Sequence, residues 1–205
     1  MRWYRIRNLL LALGSLLCLG FTAYVGYVLW VSPTPVEIPI GGPFTLVDHD
    51  GRTVTNEAFR GRYRLVYFGY TFCPDVCPTR LTEMTLALDA FARVSPARAA
   101  KVVPMFISID PERDPVDVLR AYRKHFHPRL VALTGTAEQL RAVAKGYKTY
   151  FSKVYPDEKS RETNEYVMDH SSYVYLMRPD GGYLTHFTTG ATPEQMAARL
   201  DEHVK

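Results

Sequence analysis

Two cysteines stand four positions apart, each followed by proline, in Gly69-Tyr70-Thr71-Phe72-Cys73-Pro74-Asp75-Val76-Cys77-Pro78-Thr79. A thiol pair at this spacing can close a disulfide, exchange with a partner's disulfide, or hold one soft ion. A residue before proline is pushed away from α geometry, so the pattern predicts an irregular loop over the pair, with a helix starting at Pro78. Helix N–H groups beside the pair would favour thiolate over thiol. The bland alternatives are a structural disulfide and two buried apolar thiols. A staple gains little here, because so small a loop has little closure entropy to remove. The third cysteine, Cys18, falls in an apolar N-terminal run, so the rest of the chain has only this pair.

Two thiolates select a soft ion, and Cu(I) accepts few ligands. One further donor from elsewhere in the chain is expected, and six histidines are available. His125 and His127 end a charged helix and read as solvated surface; His49 lies in a turn, His186 in the closing strand and His203 near the terminus. His170, in Val167-Met168-Asp169-His170-Ser171-Ser172, falls where a loop meets the penultimate strand. A lone histidine at a strand start is more often structural, so the residues alone make His170 a candidate.

The elements that must position these groups follow from periodicity. Phe44–Val47 and Thr53–Val54 flank Asp48-His49-Asp50-Gly51, a hairpin signal. Arg64–Tyr70 and Val102–Ile109 are short apolar runs expected as strands buried on both faces, Pro104 being a blemish in the second. Helices are expected over Arg80–Arg93 (buried Leu81, Met84, Leu88, Phe91), Asp114–Phe126 (Val118, Leu119, Tyr122) and Thr136–Lys145 (Ala137, Leu140, Val143). Leu130–Leu133 reads as a strand, and Ser171–Met177 with Tyr183–Thr188 as a closing hairpin. A last helix spans Thr192–Val204, with Thr192 as N-cap and Pro193 at its first position. The order β-β-α-β-α-β-α-β-β-α predicts an α/β, thioredoxin-like fold with an N-terminal β-hairpin extension. Asp114 reads as a helix cap, Asp110 stays open between supporting the site and docking a partner, Asp75 reads as a solvated turn carboxylate, and Tyr70 and Phe72 as loop packing.

Ahead of this domain, Leu9–Val31 holds no charge in 23 positions. At ~1.5 Å per residue it reaches about 34 Å, enough for a hydrocarbon core of ~30 Å. It lacks a convincing cleavage signal, so an uncleaved transmembrane helix is expected in place of a removed signal peptide. Arg2, Arg5 and Arg7 precede the span and no Lys or Arg follows until Arg52. The positive-inside rule then predicts a cytoplasmic N-terminus (1–8), an anchor (9–31), a Pro/Gly-rich spacer (32–43) and an exported domain (44–205). The net charge is +4, and +1 once those three arginines are set aside, which excludes the basic face of a nucleic-acid binder. The hydrophobic share of 47% and charged share of 22% exclude a disordered chain.

With these residues assembled, the chain resembles the Sco (SenC) family of membrane-anchored copper proteins from Pro43 to Lys205. The resemblance is carried by the cysteine segment, by Ser108-Ile109-Asp110-Pro111-Glu112-Arg113-Asp114, by Leu133-Thr134-Gly135-Thr136, and by Asp169-His170-Ser171 followed by a strand and Pro179-Asp180-Gly181. It implies a thioredoxin-like fold with Cys73, Cys77 and His170 as ligands of copper, as Cu(I) and also Cu(II). It further implies a metallochaperone that assists assembly of the dinuclear copper centre of cytochrome c oxidase subunit II, supplied by an upstream copper donor protein. Single-pass attachment to the inner membrane, with the domain in the periplasm, is the matching location.

Other classes remain open at this stage. A thiol–disulfide oxidoreductase could use Cys73 and Cys77 as a redox dithiol to reduce the same partner's receiving cysteines, although it would normally show CxxC and needs no His170. A peroxidase is echoed by Val76-Cys77-Pro78-Thr79 but lacks a threonine three residues before the cysteine, where Pro74 stands. Zinc on a Cys₂His set would suggest hydrolysis, for which no paired base is seen.

Overall fold

The computed structural model describes residues 2–31 and 39–205. The chain separates into two units, Met1–Ile38 and Pro39–Lys205. In the first, helix α1 (Arg2–Val31) contains an apolar stretch, Trp3–Val28, long enough to cross a membrane. Residues 32–38 of the expected spacer lie outside the described residues. Gly41, in its last part, donates its N–H to Gly146 O at 3.0 Å, within the second unit.

The second unit opens with the expected hairpin, β1 (Thr45–Asp48) and β2 (Thr53–Thr55). It continues through β3 (Tyr63–Gly69), α2 (Val76–Val94), a single turn α3 (Pro96–Ala99), β4 (Val102–Ser108), α4 (Val116–Tyr122) and β5 (Val131–Thr134). Then follow α5 (Ala137–Gly146), β6 (Phe151–Val154), α6 (Glu158–Glu162), β7 (Val167–His170), β8 (Val174–Met177), β9 (Tyr183–Phe187) and α7 (Pro193–His203). The main sheet has the order β2-β1-β5-β4-β3-β8-β9, with β3, β4 and β5 parallel and the other pairs antiparallel. This is the thioredoxin-like arrangement with an added N-terminal hairpin.

Every residue of β3 and β4 is buried, as continuous apolar runs covered on both faces require. Tyr67 and Phe106 stand in register on one face, and Phe106 continues to Tyr122 of α4. Phe68 points the other way, onto Tyr147 just beyond α5 and Tyr175 of β8. Pro104 is tolerated because β5 pairs with β4 only from Met105 onward, so the missing N–H falls where β4 has one neighbour. On α5, Leu140, Val143 and Ala144 form the buried stripe, whereas Ala137 is exposed at the first turn. α7 starts as expected, Thr192 and Gln195 forming a capping box ahead of a helix that packs on α2.

Three expectations change. The helix after the cysteines begins at Val76, so Cys77 lies in its first turn and Pro78 is its third residue. Proline is acceptable there because the first N–H groups of a helix have no carbonyl to meet. A second, two-stranded sheet of β6 and β7, with α6 between them, replaces the plain loop expected before β8. His127 is buried, not solvated: its N–H reaches Thr85 Oγ1 on α2 at 3.0 Å and its Nδ1 accepts from Arg129 N at 3.1 Å.

Candidate metal centre and dithiol

The cysteine segment leaves the end of β3 and enters α2, and buried groups fix both sides of it. Thr71 donates its N–H to Asp114 at 3.1 Å and its hydroxyl at 2.5 Å, and Ser108 at the end of β4 donates to the same carboxylate at 2.6 Å. Asp114 is fully buried, and its desolvation pushes the carboxyl above the usual carboxylate range. It does not cap α4, contrary to the sequence expectation: Pro115 occupies the cap position, and the Asp114 side chain turns inward to hold the loop before Cys73. At the other side, Gly69 leaves no room for a Cβ, which would lie 2.8 Å from Cys77 Sγ and 3.0 Å from both the Phe106 and Tyr67 rings. A side-chain-free residue is what lets the Cys77 sulfur press against the end of β3.

Cys73 is partly exposed and Cys77 fully buried, and both are free thiols. The Cys77 N–H, at the start of α2, points at Cys73 Sγ across 3.4 Å. A hydrogen bond from the Cys77 thiol and the N–H groups of Cys77 and Asp75 bring the Cys73 thiol down to about 5, against the opposing effect of partial burial. Cys77 moves the opposite way, held protonated by its hydrogen bond to Cys73 and by burial. The buried Tyr67 hydroxyl lies 3.5 Å from Cys77 Sγ.

His170 ends β7, opposite Phe151 of β6. Its Nε2 is 3.6 Å from Cys77 Sγ, while Nδ1 is 3.1 Å from Ser171 O. A carbonyl only accepts, so Nδ1 is the donor in that contact and Nε2 is the ring nitrogen that faces the sulfur. The rings of Tyr67 and Tyr70 wall the imidazole edge-on at 6.2 and 6.0 Å. The fold thus brings together a half-exposed low-pKa thiol, a buried thiol and an imidazole from 93 positions later. Among the described residues no three His, Cys, Asp or Glu side chains already enclose a common point as a metal cage.

The other candidates separate. Asp75 is exposed at the N-cap of α2, and Tyr70 is buried packing, as expected. Phe72 is 71% exposed and is not loop packing. Asp110 is buried and accepts from Arg113 Nε at 2.5 Å and from Tyr166 O–H at 2.8 Å. Of the remaining histidines, His49 Nδ1 accepts from Ala132 N at 3.2 Å and His186 Nδ1 is 2.6 Å from the Tyr183 hydroxyl. Sequence reasoning did not single out Tyr67, Thr71 or Gly69. Their places beside the motif are visible in the chain, but their contacts come from packing across the sheet.

A thioredoxin-like domain with a dithiol at the end of its first parallel strand and an imidazole against the buried sulfur defines a class of thiol or soft-metal proteins. The SCO1/SenC family model matches residues 33–205, and the chain belongs to that family. The chain is 39% identical over 155 residues to "Protein SCO1 homolog 1, mitochondrial" of Arabidopsis thaliana, covering 76% of this chain and 44% of that relative. The match thus spans less than half the length of that relative. Arabidopsis thaliana ScoI with copper bound shares 38% identity and a TM-score of 0.72, covering 80% of this chain and 97% of that one. Bradyrhizobium japonicum ScoI with copper bound shares 40% identity and a TM-score of 0.69, covering 80% and 99% respectively.

Proposed function

We propose that this protein is a copper carrier whose cargo is held by Cys73, Cys77 and His170. The observation that carries the reading is the 3.6 Å approach of His170 Nε2 to Cys77 Sγ. Ligands at about 2.0–2.3 Å from one ion, set about 120° apart, lie roughly 3.8 Å from each other, so this pair already has the separation of two ligands. Cys73, on the exposed side, supplies the third donor by turning its side chain toward the same point. Two soft sulfurs and one imidazole suit Cu(I), and the relatives solved with copper bound support the same cargo.

The half-exposed Cys73 gives a receiving protein's thiolate a place to attack, so copper can pass through shared-ligand intermediates without release into water. The recipient is subunit II of cytochrome c oxidase, loaded at its dinuclear copper centre, and an upstream protein supplies the ion. α1 anchors the chain in the inner membrane, with three arginines on the cytoplasmic side and the domain in the periplasm.

The 3.4 Å contact of the Cys77 N–H with Cys73 Sγ, between a partly exposed and a buried free thiol, favours a second activity, reduction of the recipient's cysteines. Cys73, its thiol lowered to about 5, is the attacking group and Cys77 the resolving one. Cys73 thiolate attacks the partner disulfide and expels one partner thiolate. Cys77 then displaces the second, leaving the partner with two thiols and this protein with a Cys73–Cys77 disulfide. The test uses the full chain in detergent, titrated with Cu(I) against a chelator. Wild type takes up one ion, while His170→Ala loses most of the affinity and keeps dithiol exchange. Normal copper stoichiometry in a Cys73→Ala, Cys77→Ala variant overturns the carrier reading, and full reductase activity in it overturns the second.

A further inference from the structure

Arg113, in the loop between β4 and α4, touches three parts of the chain that meet at the site. Its Nε donates to the buried Asp110 carboxylate at 2.5 Å, and its Nη1 donates to Tyr166 O at 2.9 Å, one residue before β7 begins. Its guanidinium carbon lies 3.8 Å from the centre of the Tyr166 ring, 4.9 Å from that of Phe72 and 5.6 Å from that of Tyr70. Phe72 and Tyr70 belong to the cysteine segment, whereas Tyr166 leads into the strand that ends at His170. The Tyr166 hydroxyl returns to Asp110 at 2.8 Å, closing the circuit. Lys153 of β6 stands 4.1 Å from the same ring and pairs with Glu112 at 2.7 Å, so the hairpin is tied to the 110–113 loop on both strands.

The β6–β7 hairpin needs such ties. It is a separate two-stranded sheet with no ladder to the main one, and an isolated hairpin is marginal in water. β6 buries no residue fully and β7 buries only Met168, so the two strands themselves carry few fully buried apolar anchors. Yet its last residue must place an imidazole against Cys77 to within a few tenths of an ångström. A planar guanidinium supplies both directed N–H donors and a face for aromatic rings, which an ammonium cannot match.

Resting on the copper reading above, we infer that Arg113 is a positioning residue: it clasps the hairpin that carries His170 to the loop that carries Cys73, and so sets the approach of His170 Nε2 to Cys77 Sγ. Loss of a group that orients a ligand typically costs about 10–100-fold in metal affinity, and that is the effect expected for Arg113→Gln.

The experiment has two arms on the full chain in detergent. In metal-free protein, hydrogen exchange is followed by mass spectrometry for Arg113→Gln and for Tyr166→Phe, a milder variant that keeps the ring. Faster exchange over 151–154 and 167–170, with β3 and β4 unchanged, is expected. In the second arm, Cu(I) affinity is measured for Arg113→Gln alone and in a His170→Ala background. The substitution weakens binding when His170 is present and adds nothing when it is absent. Wild-type exchange in both variants, or an equal loss of affinity in both backgrounds, overturns the clasp. Failure of wild type to bind Cu(I) overturns the copper reading instead, and the exchange arm still decides whether Arg113 holds the hairpin.

Discussion

Adding one methyl group at Gly69 tests the packing that places the buried sulfur. The new Cβ would lie 2.8 Å from Cys77 Sγ and 3.0 Å from ring carbons of Phe106 and Tyr67. Ordinary van der Waals separation is about 3.5–4.0 Å, so the neighbours must retreat by roughly 0.5–1 Å. None can do so freely, because all three are fully buried. Overpacking of this kind typically costs about 1–3 kcal/mol. For a folded unit of this size, each kcal/mol lowers the melting temperature by about 2–4 °C, so a shift of roughly 2–12 °C is expected for Gly69→Ala. The assay is thermal and urea unfolding of wild type, Gly69→Ala, Cys77→Ala and the double variant. Removing the sulfur relieves the closest contact, so the methyl costs less in the Cys77→Ala background than in wild type. Wild-type stability in Gly69→Ala, or the same penalty with and without the sulfur, refutes the reasoning.

Four further outcomes follow from the site. The Cys73 thiol, lowered to about 5, is alkylated by iodoacetamide at pH 6 while Cys77 stays protected, as peptide mapping would show. Because the folded value lies below that of the unfolded chain, Cys73 contributes stability that is fully present above the ordinary thiol range and is lost as pH falls toward 5. Asp114 has the opposite sign: its carboxyl is raised in the fold, so its burial weakens the protein as pH rises from the ordinary carboxylate range through its raised folded value, and Asp114→Asn flattens that part of the unfolding-versus-pH curve. Asp114→Ala leaves the Thr71 and Ser108 donors without their acceptor, at about 1–3 kcal/mol for each buried group left unpaired, and loosens the cysteine segment as read by faster amide exchange over residues 71–75.

How much of this was legible in the chain depends on whether local chemistry or packing decides each feature. The strands β3 and β4, the stripe Leu81, Met84, Leu88 and Phe91, and the Thr192–Pro193 helix start have periodic or capping signals, and all are present. β6 and β7 have none: Phe-Ser-Lys-Val and Val-Met-Asp-His are short, half-exposed and without alternation, so only their pairing makes them strands. α2 starts two residues before Pro78 because a first turn tolerates proline, which here overrides the pre-proline preference of Cys77. Asp114 before Pro115 looks like a cap from its neighbours, and only the arrival of Thr71, 43 positions earlier, shows why it turns inward. For the site, Cys73 and Cys77 stand out by type and spacing. His170 stands out by its place at a strand, but its distance from Cys77 is a property of the fold.

The central claim is tested most directly by X-ray absorption spectroscopy at the copper edge on the full chain loaded with one equivalent of Cu(I). Two sulfur scatterers and one imidazole nitrogen are expected in wild type, with the imidazole signature gone in His170→Ala. A spectrum that is the same with and without His170 would contradict the account.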